Sequence, residues 1–334
     1  MNTNELLDYL TLRIIYKDSP SAPFNLLKNF DFDTIAIFSA TASELKDRAS
    51  LNTDKIKQLL SPPREKAIKV MKYCDDHSIR MIPYSHPDYP SALKNLFNPP
   101  MMIFVKGNLP DFDKSLSLSV VGTRNATENG LKSARFFSYQ LAKAGAVIIS
   151  GGAIGIDAEA HAAAIEANGI TVSVIGCGIG YNYPVKNQSL RTEIVNNGAI
   201  ISEYLPDERP LSYHFPIRNR IIAALSRGTL VVEAGMTSGA LLTADLSLEQ
   251  GNDIFAVPGN LLEPSFDGTN KLIHDGAKPV FSAIDILEEY PSFDLNLKGA
   301  DKSITELYLP EKNPLLYCTE QPKKRKRNSL IIKS

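Results

Sequence analysis

The residues best suited to chemistry lie in glycine-rich and arginine–aromatic segments. The five histidines are scattered along the chain, and with the sequence alone they assemble into no nucleophile–base–acid set. Gly122-Thr123-Arg124-Asn125 joins a glycine turn to a guanidinium. Such a turn at a helix start leaves backbone N–H groups free for an anion, and arginine adds charge-assisted hydrogen bonds. A plain tight turn with a surface arginine fits the same residues equally well. Ser150-Gly151-Gly152-Ala153-Ile154-Gly155-Ile156-Asp157 sets three glycines before an alanine-rich stretch, which lets backbone approach an anion closely. No Gly-Lys-Ser/Thr follows, so this is not a Walker loop. Asp157 and His161 stand four residues apart, as metal ligands can. Without a third ligand nearby, a helix-capping aspartate and an ordinary histidine are the expectation.

Gly176-Cys177-Gly178-Ile179-Gly180 leads into Tyr181, Tyr183 and Lys186. A dinucleotide fingerprint requires glycine where Tyr181 stands, which argues against a nicotinamide cofactor. Tyr181 and Tyr183 suit base stacking and plain packing alike. Residues 203–220 place Arg209, Arg218 and Arg220 among Tyr204, Tyr213 and Phe215. Interleaved cations and aromatics are what a sequence-tolerant single-strand groove needs; the competing reading is a solvated helix start. Glu233 through Gly239 ends in Ser238-Gly239, another anion-receptive helix start. Val257-Pro258-Gly259-Asn260 reads as a structural turn. No catalytic residue, metal or cofactor is expected.

These segments follow short apolar runs at 118–121, 146–150, 171–175, 199–202, 229–233 and 254–257. Each is too short for a helix and rich in β-branched residues, as strands buried on both faces are. The segments between them are helical and end at Gly145, Gly169, Gly198, Gly228 and Gly251, where a left-handed residue after each helix is expected. Asn125 with Glu128 reads as a capping box, and Ser238 as a second cap. Strand and helix alternating in this way predict βαβ units, hence an α/β, doubly wound, mostly parallel sheet. Ligands of such sheets bind outside the carboxyl ends of the strands, where the segments above lie.

The organisation around that sheet is simpler. Residues 1–65 are polar with scattered leucine and isoleucine and are broken at Ser61-Pro62-Pro63, which predicts a small helical domain. Residues 66–290 form the sheet domain, and 291–334 a polar tail with the basic run Lys323–Arg327, expected to be disordered. With 36 basic and 37 acidic residues the net charge is −1, so anion binding must come from a local patch. Cys74, Cys177 and Cys318 are scattered, with neither disulfide nor metal spacing. No apolar stretch approaches the roughly 18 residues of a membrane span, and the start has no secretory core. A cytoplasmic protein is expected.

Taken in order, the segments resemble the DprA/Smf family over roughly 75–290. The resemblance runs through Tyr84–Leu93, Phe104–Gly107, VGTRNAT from Val121, SGGAIGIDAEAH from Ser150, GCGIGYNYP from Gly176, ISEYLP from Ile201, FPIRNRIIAALS from Phe215, VVEAGMTSGALLTA from Val231, VPGN from Val257 and GTNKLIHDGA from Gly268. It implies an extended Rossmann-like domain that dimerises, coats single-stranded DNA and loads the RecA recombinase in natural transformation. By position it makes Arg124, Lys186, Arg218 and Arg220 the DNA contacts. Asn219, Gly122, Gly151, Gly152 and Gly155 would shape the pocket, with Tyr181, Phe215, Ser238 and Gly239 beside them. The first 65 residues resemble the small SAM-like helical domain that often precedes the family's core. Many members carry arginine at the position of Ile154 and a basic residue at that of Asn252, so phosphate contact should be weaker here. Many also end in a winged helix, for which 291–334 is too short.

Two enzyme classes compete with this reading. A phosphoribohydrolase-like nucleotide enzyme on a related fold is favoured by Glu233 beside a helix start, but its Pro-Gly-Gly-x-Gly-Thr signature is absent. A dinucleotide oxidoreductase lacks its fingerprint.

Overall fold

The computed structural model describes residues 3–17 and 23–297. Of the expected tail, only 291–297 falls within that range; the Lys323–Arg327 run and Cys318 lie outside the described residues. Among the described residues, α1 (Thr3–Ile15), α2 (Pro23–Asn29), α3 (Thr34–Ser39), α4 (Ala42–Ala49), α5 (Thr53–Leu60) and α6 (Arg64–Asp76) come first. β1 (Arg80–Pro83), α7 (Ser91–Lys94) and β2 (Met102–Gly107) follow. The alternating part is β3 (Ser117–Val121), α8 (Glu128–Lys143), β4 (Val147–Ser150), α9 (Ile156–Glu166), β5 (Thr171–Ile175), α10 (Gln188–Asn196) and β6 (Gly198–Ser202). It continues with α11 (His214–Leu225), β7 (Gly228–Val231), α12 (Gly239–Glu249), β8 (Asp253–Ala256), α13 (Asp267–His274), β9 (Lys278–Pro279) and α14 (Ile284–Leu287).

The strands form one sheet in the order β1-β2-β6-β5-β4-β3-β7-β8-β9. From β6 to β9 every pairing is parallel, while β1–β2 and β2–β6 are antiparallel. The chain winds outward from β3 in both directions, first to β4, β5 and β6, then back to β7, β8 and β9. This is the doubly wound, Rossmann-like order, and its switch point lies between β3 and β7, where the direction of winding reverses. All six apolar runs are strands, and β3, β4, β5, β6 and β7 are buried throughout.

One sheet face is covered by α7, α11 and α12, with Ile103, Val105, Val172, Val174, Ile221 and Ala244 in a shared core. The next residues along those strands point the other way. Met102, Phe104, Ile175 and Ile200 join Tyr9, Leu10, Leu27, Leu45 and Leu59 from the first five helices. The N-terminal helices and the sheet therefore share one apolar interior, and the expected boundary after residue 65 falls in the first turn of α6. Among the described residues no helix is long and apolar enough to cross a membrane.

The helix ends depart from expectation in physically simple ways. Gly145 (φ 102°) and Gly251 (φ 75°) are left-handed as expected. After α9 it is Asn168 (φ 54°), not Gly169, that takes the left-handed turn; asparagine tolerates this conformation. Gly198 and Gly228 open strands instead. A Cβ on Gly198 would lie 2.0 Å from the Thr171 carbonyl oxygen, and one on Gly228 2.3 Å from the Tyr290 hydroxyl. Both are small because a neighbour is close. The capping box at Asn125 does not form: α8 starts two residues later, and Thr127 Oγ1 accepts the Gly130 N–H at 3.0 Å. Ser238 does cap α12, accepting the Ala240 N–H at 3.3 Å.

Candidate nucleic-acid interface

The loops after β3, β4 and β7, together with the first turns of α11 and α12, enclose a cleft of about 790 Å³ at the switch point. Its β3 side is set by Gly122. The Thr123 N–H donates to the Glu233 carbonyl at 2.8 Å, and a Cβ on Gly122 would strike Ile156 at 2.5 Å. Arg124 follows and is exposed. Its guanidinium sits 5.2 Å from the centre of the Phe215 ring, and it has no hydrogen-bond partner among the described residues. Phe215 lies 5.8 Å from Tyr183, so an aromatic pair backs a cation whose donors remain available. A second recess of about 90 Å³ adjoins the cleft and is lined by Gly151, Gly152, Tyr183 and Phe215.

Arg218 also lines the cleft, but its side chain is committed to the protein. It is buried, and Nη1 donates to the Gly151 carbonyl at 2.7 Å and to the Val174 carbonyl. Nε donates to Asn219 Oδ1 at 3.1 Å. It thus ties the ends of β4 and β5 to α11. Burial lowers its pKa, opposed by nearby Asp157. Burial likewise raises that of Asp157, opposed by Arg218. The Asp157 carboxylate accepts the Gly151 and Ala153 N–H groups at 3.2 and 3.3 Å, folding the glycine segment onto α9. His161 does not join it. Nδ1 pairs with Thr171 Oγ1 at 2.6 Å in the core, and no metal-ligating cluster occurs among the described residues.

The far side of the cleft is the start of α12. Ser238 caps it, Asn219 Nδ2 donates to the Gly239 carbonyl at 3.4 Å, and Gly239 faces open space. The eleven-residue α12 begins here, and its dipole gives a second electropositive edge. Gly155 lies beneath: at φ 82°, a Cβ would sit 2.5 Å from the Thr123 carbonyl and 2.7 Å from that of Arg124.

Of the residues expected at the site, Gly122, Arg124, Phe215, Arg218, Asn219, Ser238 and Gly239 line the cleft, and Gly151 and Gly152 line the adjoining recess. Tyr181 and Lys186 are exposed outside both. Arg220 faces away, with Nη2 on the Glu203 carboxylate at 2.7 and 2.9 Å. Asn187 is a participant that no sequence signal marked: its Nδ2 donates to the Gly152 and Ala153 carbonyls at 3.1 Å each. Ile154 lines the recess, where the resemblance would put a cation in many members. Asn252 instead donates to the Ala223 carbonyl at 2.9 Å. Glu233, the residue favouring a nucleotide hydrolase, is fully buried; its carboxylate accepts the Thr127 N–H and hydroxyl at 3.0 and 2.9 Å. It holds the start of α8.

Known proteins share this architecture. The family model of DNA recombination-mediator protein A matches residues 80–291. The DNA processing protein DprA of Bacillus subtilis strain 168 is 37% identical over 270 residues, 81% of this chain and 91% of that protein. The X-ray structure of DprA from Streptococcus pneumoniae superposes with a TM-score of 0.74 at 34% identity, covering 84% of this chain and 97% of that one. A Helicobacter pylori DprA structure, described for its single-stranded DNA binding mode, matches with a TM-score of 0.59 at 30% identity, covering 65% of this chain and 97% of that one. The chain belongs to the DNA recombination-mediator protein A family, and the DprA/Smf resemblance of its motifs is borne out over the sheet that builds the cleft.

Proposed function

We propose that the chain binds single-stranded DNA in the switch-point cleft and passes it, as a cytoplasmic homodimer, to a RecA recombinase. The observation that carries this reading is Arg124, exposed above the Phe215 ring on the rim of a 790 Å³ cleft. A phosphate meets the guanidinium and the N–H groups at the start of α12, while a base stacks against Phe215 and Tyr183. Gly239 leaves room for backbone to approach. None of these contacts reads a base edge, so binding tolerates any sequence. The role is binding without catalysis. Glu233, the one carboxylate that favoured a hydrolase, is buried and engaged in holding α8.

Fluorescence anisotropy with a labelled oligothymidine, at two salt concentrations and against duplex competitor, tests the reading. Salt-sensitive binding that duplex fails to displace is the expected result. Absence of binding at low salt would overturn it and direct attention to nucleotide ligands.

A further inference from the structure

Arg13 of α1 is fully buried, 190 and 195 positions from the two turn residues it bonds. Nε donates to the Glu203 carbonyl at 3.0 Å, Nη2 to Glu208 Oε2 at 2.8 Å, and Nη1 to the Lys17 carbonyl at 3.1 Å. Glu203 and Glu208 bracket the turn that follows β6. That turn holds α11 at His214 and at Arg220. The Glu203 carboxylate holds Arg220. The Tyr204 hydroxyl donates to the His214 carbonyl at 3.3 Å while its ring stacks on the imidazole at 4.0 Å. Glu208 Oε1 lies 3.9 Å from His214 Nε2. The same turn accepts the Gly178 N–H at the Glu208 carbonyl, 2.8 Å, and the Gly180 N–H at the Pro206 carbonyl, 2.9 Å. Phe215 follows His214 directly, so whatever fixes His214 fixes the ring behind Arg124.

We propose that Arg13 is a positioning residue for strand binding: it clamps the Glu203–Glu208 turn, and through it holds Phe215 where Arg124 needs its backing. The proposal rests on the assignment of the cleft as the single-strand site. A buried, hydrogen-bonded charge network is stiff when complete and costly when one member is missing. The N-terminal helices, which contribute no lining residue to the cleft, are in this way coupled to its affinity. By linkage, a bound strand then favours the docked arrangement of α1.

The network also gives the coupling a pH signature. Glu208 faces Arg13 from α1 and His214 from α11, with Asp207 beside it in the turn; Glu203, paired with Arg220, also acts on His214. Burial raises the Glu208 carboxyl above its ordinary value, opposed by Arg13 and by the Leu205 N–H. The ionised form is the one that clamps, so affinity declines as pH falls through that raised value. Asp157 in the cleft titrates too, but equally in wild type and Glu208→Gln, so the difference between the two reads the Glu208–His214 pair, in which burial holds the imidazole below its ordinary value.

The test is oligothymidine anisotropy on the full chain across a pH series, with thermal melts, for wild type, Arg13→Met, Arg13→Lys, Glu208→Gln and Arg124→Ala. Arg13→Met and Glu208→Gln should bind roughly fivefold or more weakly at neutral pH. Arg13→Lys should recover part of that loss, and Glu208→Gln should lack the acid-side decline. Wild-type affinity in Arg13→Met and Glu208→Gln, with Arg124→Ala weakened, overturns the coupling and leaves the cleft standing. Wild-type affinity in Arg124→Ala overturns the cleft assignment and the coupling with it. If Arg13→Met fails to fold, Glu208→Gln decides: an acid-side decline like that of wild type overturns the proposal, and its loss supports it.

Discussion

Arg218 and Arg220 are two residues apart in one short motif, and the helix turns them to opposite faces. Arg218 points to the cleft end of the sheet and bonds two carbonyls, whereas Arg220 bonds Glu203. Arg124 alone of the three is exposed. Two arginine variants should therefore fail differently. Arg124→Ala should bind oligothymidine more weakly at unchanged melting temperature, and its salt slope should fall by about 0.7, the share of a single neutralised phosphate on one strand. Arg218→Ala should bind weakly and also melt earlier, since each carbonyl left without its donor costs about 1–3 kcal/mol. Parallel melting curves and salt titrations check both; equal melting temperatures would contradict the buried role of Arg218. The place of Arg124 and Phe215 at the cleft was legible in the sequence, because a cation after a strand and an aromatic at a helix start declare themselves by position. The division of labour between the two later arginines was not, because it depends on which acid the fold brings to each.

At the scale of elements, five of the six legible strands, β3 to β7, are buried on both faces, where nothing but an apolar run serves; β8 is half exposed and was legible from its place in the alternation. Met102–Gly107 has the same character, yet it stands outside the strand–helix alternation because it pairs antiparallel with β6. Lys278–Pro279 is too short to leave a pattern. The glycines were harder to read, because a left-handed turn and a close neighbour both select glycine; only the fold distinguishes Gly251 from Gly228. His161, which joins α9 to β5, carries a consequence for stability. Burial lowers its pKa to about 3, and Arg218 adds to the shift. Thr171 Oγ1 donates to the Ile148 carbonyl and so receives the Nδ1 proton, which leaves Nε2 bare and without a partner in the core. The unfolded chain protonates its histidine at about pH 6.5, whereas the folded chain resists down to about 3. Stability from this group is full above about pH 6.5 and is lost as pH falls toward 3. His161→Gln should flatten the melting temperature across that window, at some cost in stability at neutral pH. An unchanged acid-side slope in the variant would contradict the neutral core histidine.

At the scale of the whole molecule, the helices of the first 76 residues and the sheet complete each other. Met102, Phe104 and Ile200 are buried, and they share their core with Tyr9, Leu10 and Leu45. Removing residues 1–76 should expose that face, so the shortened chain should melt earlier and self-associate, as size-exclusion chromatography and thermal melts would report. A monodisperse fragment with the full melting temperature would contradict the shared core. Breakers and caps announced helices there, but nothing in the pattern told what they cover, because the partner residues lie 57 to 191 positions onward. The same separation sets a timetable at synthesis. At ribosomal rates of about 5–20 residues per second, α1 waits roughly 10–40 s after it is made before Glu203 and Glu208 exist to receive Arg13. Through that interval Arg13 has the Lys17 carbonyl but neither turn residue, and the apolar residues of α1 have only the other N-terminal helices to meet. α1 thus completes its surroundings only after residues made long after it.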